Sequence, residues 1–272
     1  MNILELFRFQ NIDLVASAGG YTAVPVILAA KIYGAKIWVH QQDADILFTN
    51  RLTAPLADYL TVAWEHNKKA FGSKARLVGN PVRSRILGGS KELGVQWFSV
   101  DPTKPTVMIF GGGTGAVWLN RLVQEMIPTL VQQVNVIHVT GKGKHETGLF
   151  EHQNYYVCEF LDKEMADAYA LSDLVVCRAG LGTITELSAL AKPAIFIPIP
   201  HSGQEANARM VETSSLVLDQ SHVTSDVLCG TILDLLHDKT RLSELGEKLH
   251  GVLRTDVADE LVDFLTNKKQ AS

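Results

Sequence analysis

The chain has 272 residues, 46% of them hydrophobic and 20% charged, with a formal net charge of −4. That length and composition suit two domains with true cores, and the balance excludes a disordered chain and any global basic field that would hold nucleic acid. Cys158, Cys177 and Cys229 form no C-x-x-C pair, which fits a reducing compartment. The start "MNILELFRFQNIDL" scatters acids and an arginine where a signal peptide needs an apolar run, and the longest apolar stretch, "AVPVILAA" from Ala23, is too short to span a bilayer.

In chain order, "IDLVAS", "AKIWVHQ", "YLTVAW" and the short "RLVGNPV" read as strands, with "AVPVILAAKIYG" and "NRLTAPLADY" as helices between them. Three or four strands make a thin layer, so an open sheet edge and bare apolar surface are expected there. A stretch rich in Gly, Ser and Pro, residues 88–105, reads as the boundary. From Thr106 the alternation becomes regular: "TVMIF", "VNVIHV", "YYVCEF", "DLVVC", "AIFIPI" and "SLVL" are separated by helical patterns, and 116–132 places Leu119, Leu122, Val123, Met126 and Ile127 on one face. Continuous β-branched runs between helices predict a parallel sheet covered on both faces. The fold class is therefore α/β, with a partial domain over 1–95, a doubly wound domain over 104–255, and a terminal helix and tail over 256–272.

Three loops carry polar residues suited to chemistry. In "DLVVCRAGLGTITELSAL" a buried strand ends in Arg178, Gly180 and Gly182; Thr183 stands where a helix N-cap belongs and Glu186 follows at capping-box spacing. An open helix start with Arg178 beside it suits a diphosphate, and Glu186 turned outward suits the two hydroxyls of a ribose. The same residues also read as a plain capping box with a salt-bridged arginine. In "MIFGGGTGAVWLN" the spacing Gly111-x-Gly113-x-x-Ala116 satisfies a dinucleotide fingerprint, but the next strand ends without the ribose acid and no Gly-Lys-[Ser/Thr] follows. In "PIPHSGQEANARMVE", Gln204 suits sugar hydroxyls, Asn207 suits bracing of the loop, and His201 reads as a solvent-facing loop residue. All three loops leave the carboxyl ends of strands, and those after the first and fourth strands of this domain should meet where the strand order reverses.

With these blocks in hand, "SAGGYTAVPVILAAKIYG", "HQQDADILFTNRLTAPLAD", "LVGNPVR", "FGGGTGAVWLN", "HVTGKG", "DLVVCRAGLGTITELSALAKPAIFIPIP" and "QEANA" together resemble the MurG family. The resemblance implies a GT-B architecture: two Rossmann-like domains facing a cleft, the amino-terminal one incomplete here. It implies transfer of N-acetylglucosamine from UDP-GlcNAc to a lipid-linked muramyl pentapeptide, without cofactor or metal, at the cytoplasmic membrane face of a bacterium. By the same resemblance Phe160 and Leu161 read the uracil, Arg178 and the Gly180–Leu181–Gly182–Thr183 turn hold the diphosphate and sugar, and Glu186 takes the ribose. Gln204 and Glu205 match a pair at the sugar, Gly113 and Thr114 stand where the family has Ser-Gln, and Arg83 matches an interdomain arginine near the nucleotide. On the acceptor side Gly19, Gly20 and Tyr21 match a diphosphate-facing turn, and His40 through Asp43 align with a His-Glu-Gln-Asn block, departing at two of the four positions.

The family's first strand and glycine-rich loop, with its proposed base histidine, have no counterpart in this chain. The expectation is an amino-terminally shortened form that binds donor weakly and turns over poorly. Three other readings fit parts of the sequence: a metal-dependent transferase using Asp43 and Asp45 as a D-x-D pair, a non-catalytic UDP-sugar-binding subunit completed by a separate amino-terminal partner, and an NADP-type oxidoreductase using Gly111–Ala116 and Lys142. The segment "WEHNKKAFGSKAR", residues 64–76, mixes Trp64 and Phe71 with basic side chains. It reads either as a contact with lipid headgroups or as a solvated loop.

Overall fold

The computed structural model describes residues 3–112, 115–144 and 150–267. It divides into two compact units: Met1–Pro81 with Leu253–Ser272, and Val82–Val252. The first unit runs α1 (Ile3–Phe9), β1 (Leu14–Ser17), α2 (Ala23–Tyr33), β2 (Lys36–Gln41), α3 (Phe48–Thr53), β3 (Tyr59–Val62), α4 (Glu65–Phe71) and β4 (Ala75–Leu77). The strands are all parallel, in the order β1-β2-β3-β4. Ile27, Ile37, Val39, Leu60 and Val62 are buried together in its core. β1 pairs on one side only among the described residues and alternates between exposed and half-buried positions, the open edge expected of a thin sheet.

The second unit begins with α5 (Lys91–Phe98) and β5 (Thr106–Phe110). It continues through α6 (Val117–Leu130), β6 (Asn135–Val139), β7 (Tyr155–Cys158), α7 (Met165–Leu171), β8 (Leu174–Cys177) and α8 (Leu181–Ala189). β9 (Ala194–Phe196), α9 (Gln204–Val211), β10 (Leu216–Val217), α10 (Ser225–His237) and α11 (Lys239–Leu249) complete it. Its six parallel strands take the order β10-β9-β8-β5-β6-β7. The chain starts in the middle, builds outward through β7, then returns to β8 on the other side of β5. The strand order thus reverses between β5 and β8, and the loops leaving these two strands lie side by side, as the doubly wound reading requires. Val107, Ile109, Val136, Leu174, Val176 and Ile195 from the sheet pack with α6 and α10 in one core.

Two boundaries differ from the sequence expectation. Residues 88–105 are not a linker: Ser90 caps α5, its Oγ accepting Leu93 N–H at 3.2 Å, and Gly94 lets α5 approach α7 so closely that a Cβ would sit 2.8 Å from the Asp167 carbonyl. The glycines and serine that suggested a loop are a cap and a packing contact, so the division falls at Pro81–Val82 rather than near 95. The terminal helix α12 (Ala258–Asn267) is no separate tail. Val257 and Leu261 pack with Val78 and Trp38, Phe264 stands edge-on to Tyr59 at 5.4 Å, and Glu260 accepts from Arg76 and Arg254 at 2.8 Å each. Trp64, offered as a headgroup contact, is buried, and Phe71 packs partly on the core, so the 64–76 segment presents neither ring to solvent in full.

His40 also departs from the acceptor-facing role that the resemblance implies. It is buried, with Nδ1 2.8 Å from Thr61 Oγ1 and Nε2 3.2 Å from Asn80 Oδ1. Trp38 Nε1 donates to the same Thr61 oxygen, which leaves the hydroxyl proton for Nδ1 and fits a neutral ring protonated at Nε2. Burial holds its pKa below the usual imidazole value. A depressed folded-state pKa means that the unfolded chain takes up the proton first as pH falls below about 6.5, so stability drops in that window. Melting temperatures of the wild type and His40→Gln, measured from pH 7.5 to 5.5, should show the steeper fall in the wild type; parallel slopes would show that His40 does not titrate this way.

Candidate functional site

The turn after β8 sets the site. Gly180 is the N-cap of α8 in extended conformation and has no side chain with which to cap the helix. The helix therefore starts three residues earlier than the sequence suggested. Thr183 is in the first turn, not at the cap, and Glu186 has no capping role. The physical reason is that glycine serves as an N-cap without a side chain, which frees Thr183 and leaves the first N–H groups unpaired within the helix. An uncapped start carries partial positive charge outward.

Glu186 lies one turn further on and is only 7% exposed. Its Oε1 accepts from Arg83 through Nε at 3.0 Å and through Nη2, and its Oε2 accepts from the Tyr169 hydroxyl at 2.9 Å. Tyr169 on α7 is fully buried, edge-on to Phe110 at 6.2 Å, and burial and the carboxylate raise its pKa well above the usual phenol value. It is thus a permanent donor. Arg83 by contrast has a half-exposed side chain.

These groups open onto a cavity of about 320 Å³. Gly182, Thr183 and Glu186 from α8 form one wall, Phe160, Leu161 and Asp162 another, and Arg83 and Arg85 a third, with Phe110 and Gly112 from the β5 loop. Arg85 pairs with Asp162 at 2.8 Å, and the Lys142 ammonium stands 4.8 Å from the centre of the exposed Phe160 ring. The β5 loop is held by a close approach: Gly115 has φ +69°, and a Cβ there would lie 2.2 Å from the Thr140 carbonyl. Gly113 and Thr114 lie outside the described residues.

Of the expected site residues, Arg83, Phe160, Leu161, Gly182, Thr183 and Glu186 meet in this cavity, with Gly180 and Leu181 forming the turn beneath it. Arg178 does not line it. Ile197 N–H bonds Cys177 O across the β8–β9 pairing, which brings the Ile197 and Pro198 carbonyls to the Arg178 Nη1 at 2.9 and 3.3 Å. Arg178, 5% exposed, also places its guanidinium 5.3 Å from the centre of the Trp118 ring; its Nε has no hydrogen-bond partner among the described residues, and burial lowers its pKa. It ties the loop after β9 to the first turn of α6. Gln204 folds back onto its own loop, its Oε1 accepting Ile199 N–H at 3.2 Å, and Glu205 lines a different cavity with Arg209, Glu212 and Asp219. Asn207 is buried and donates to the Ala179 carbonyl at 3.3 Å, a brace as expected. His201 is exposed at φ +56°.

Tyr169 and Arg85 were not anticipated. The signal for Tyr169 was a phenol among small residues in "MADAYAL", where a buried hydroxyl needs a partner. In the first unit, Gly19 and Gly20 turn with positive φ, Gly20 N–H donates to Thr49 Oγ1 at 3.2 Å, and Tyr21 is exposed. The Asp43 carbonyl accepts from Gln41 and Asn67, and Asp45 is exposed. Among the described residues no three His, Cys, Asp or Glu side chains cluster as metal ligands.

Residues 106–261 match the Glycosyltransferase family 28 C-terminal domain. The chain is 35% identical to the UDP-N-acetylglucosamine--N-acetylmuramyl-(pentapeptide) pyrophosphoryl-undecaprenol N-acetylglucosamine transferase of Geobacter metallireducens, over 95% of this chain and 74% of that protein. Among solved structures it resembles MurG of Acinetobacter baumannii, with a TM-score of 0.72 and 25% identity over 97% of this chain and 76% of that one. A UDP-N-acetylglucosamine 2-epimerase, 14% identical with a TM-score of 0.67 over 99% and 76%, shares the fold alone.

Replacing Arg178 by Met removes the donor from two carbonyls and should lower the unfolding free energy of this unit by about 1–3 kcal/mol. Arg178→Lys should recover only part of that, because an ammonium lacks the planar fork that reaches the carbonyls while lying on the indole. Denaturant unfolding checks this, and unchanged stability in Arg178→Met would remove its tethering role.

Proposed function

We propose, because this chain belongs to the MurG family of glycosyltransferases, that it moves N-acetylglucosamine from UDP-GlcNAc to a lipid-linked N-acetylmuramyl pentapeptide in peptidoglycan synthesis. The observation that carries the donor half is the Glu186 carboxylate, braced one turn from an uncapped helix start inside a cavity of ligand size. In this reading the ribose hydroxyls donate to Glu186. The diphosphate meets the N–H groups at Gly182 and Thr183, and the uracil lies against the backbone of Phe160 and Leu161. The acceptor hydroxyl forms a bond to the anomeric carbon as the bond from that carbon to the diphosphate breaks, with inversion. Its proton goes to a base. The negative charge that develops on the departing UDP faces the partial positive charge of the helix start, an electrostatic contribution present before the reaction begins. No step in this scheme calls for a metal.

The lipid-linked acceptor carries the expectation of peripheral contact with the cytoplasmic face of a bacterial membrane. No described helix is long and apolar enough to cross one. A further strand, from the same or a separate polypeptide, would add at the open edge of β1, and co-purification of such a segment with this chain checks that point.

Calorimetry of the full chain should give binding of UDP and UDP-GlcNAc, unaltered by EDTA, and none of NADP. Glu186→Ala should weaken UDP about 10- to 100-fold, the scale of hydrogen bonds to a charged acceptor, with the thermal transition retained. Unchanged UDP affinity in that variant would remove Glu186 from the site. Loss of binding with EDTA would favour the metal-dependent reading.

A further inference from the structure

The two oxygens of Glu186 are held by partners of opposite character. Arg83 grips Oε1 from a half-exposed side chain that has solvent to move into. The Tyr169 hydroxyl grips Oε2 at 2.9 Å from a ring that is fully buried against Phe110 and cannot leave. A carboxylate tethered only by Arg83 would turn about its last torsion and follow that side chain. The phenol prevents this, because one fixed donor to Oε2 sets the plane in which the remaining lone pairs point. Recognition of a cis-diol depends on that plane, since two hydroxyl donors at fixed spacing must find two acceptor directions together. A residue that fixes the plane therefore contributes to telling a diol from a single hydroxyl.

We propose that Tyr169 is a positioning residue that gives the site its preference for ribose over deoxyribose, by fixing the carboxylate plane of Glu186 through a buried hydrogen bond. This rests on the donor-site reading above, in which Glu186 faces the ribose. Tyr169 itself touches no reacting atom. Arg83 is the partner that yields when the hydroxyls arrive.

The test compares the affinities of UDP and 2′-deoxy-UDP in the full chain, by calorimetry, for the wild type and Tyr169→Phe. The substitution removes one oxygen and keeps the packed ring. The wild type should prefer UDP. Tyr169→Phe should weaken UDP about fivefold, the scale of one net hydrogen bond, and change 2′-deoxy-UDP by less than about twofold, so that the ratio narrows. In a Glu186→Gln background, where the carboxylate is already gone, adding Tyr169→Phe should leave the ratio as it stands. Equal weakening of both nucleotides by Tyr169→Phe would mean a packing role and overturn the inference, as would no change in either. A wild type that binds UDP and 2′-deoxy-UDP equally well would also overturn it while leaving the UDP site in place; a wild type that binds neither would remove the donor-site reading together with it.

Discussion

A carboxylate withdrawn from water costs several kcal/mol unless charge and hydrogen bonds replace its hydration. Glu186 meets that requirement with Tyr169 on one oxygen and Arg83 on the other, and the site depends on how these three are brought together. Glu186 comes from α8, Tyr169 from α7 and Arg83 from the first residues of the unit, so the constellation forms only once the helices that precede and follow β8 in the chain are packed. The helix start one turn before Glu186 stays uncapped because Gly180 leads it. One short segment thus presents an acceptor for hydroxyls and donors for an anion at a spacing fixed by helix geometry.

The sheet explains why that segment faces a cavity. Reversal of strand order between β5 and β8 makes the two loops neighbours at the carboxyl ends of the strands. The β5 loop is drawn back toward the β6 loop at Gly115, where only a residue without a side chain fits against Thr140. Arg178, Asn207 and the β9 loop act behind this front. Arg178 holds the Ile197 and Pro198 carbonyls, and Asn207 holds the Ala179 carbonyl. They shape the loops without lining the cavity.

Much of this was legible in the sequence. Continuous β-branched runs gave the parallel sheets and the reversal point, and the exposed edge at β1 followed from counting strands. Glu186 read either as an acid turned toward a ligand or, by its spacing from Thr183, as part of a capping box; the register of the helix, set by where β8 ends and Gly180 turns, removes the capping box and leaves the carboxylate in the cavity wall. The direction of Arg178 was hidden, because a guanidinium next to a strand end reaches either outward to a ligand or across to the next strand's carbonyls. The region 88–105 misled because Ser90 and Gly94 have the composition of a linker while serving as a cap and a helix contact. His40 misled for a related reason. Its partners, Thr61 and Asn80, are distant in sequence and meet it only through strand pairing.

The most direct measurement is a crystal structure of this chain with UDP. Ribose hydroxyls are expected within hydrogen-bond distance of the Glu186 oxygens, with Tyr169 still bonded to Oε2 and diphosphate oxygens at the Gly182 and Thr183 N–H groups. A nucleotide seated elsewhere, for example in the cavity beside Arg209 and Glu212, or Glu186 still closed on Arg83 with the ribose pointing away, would contradict this arrangement.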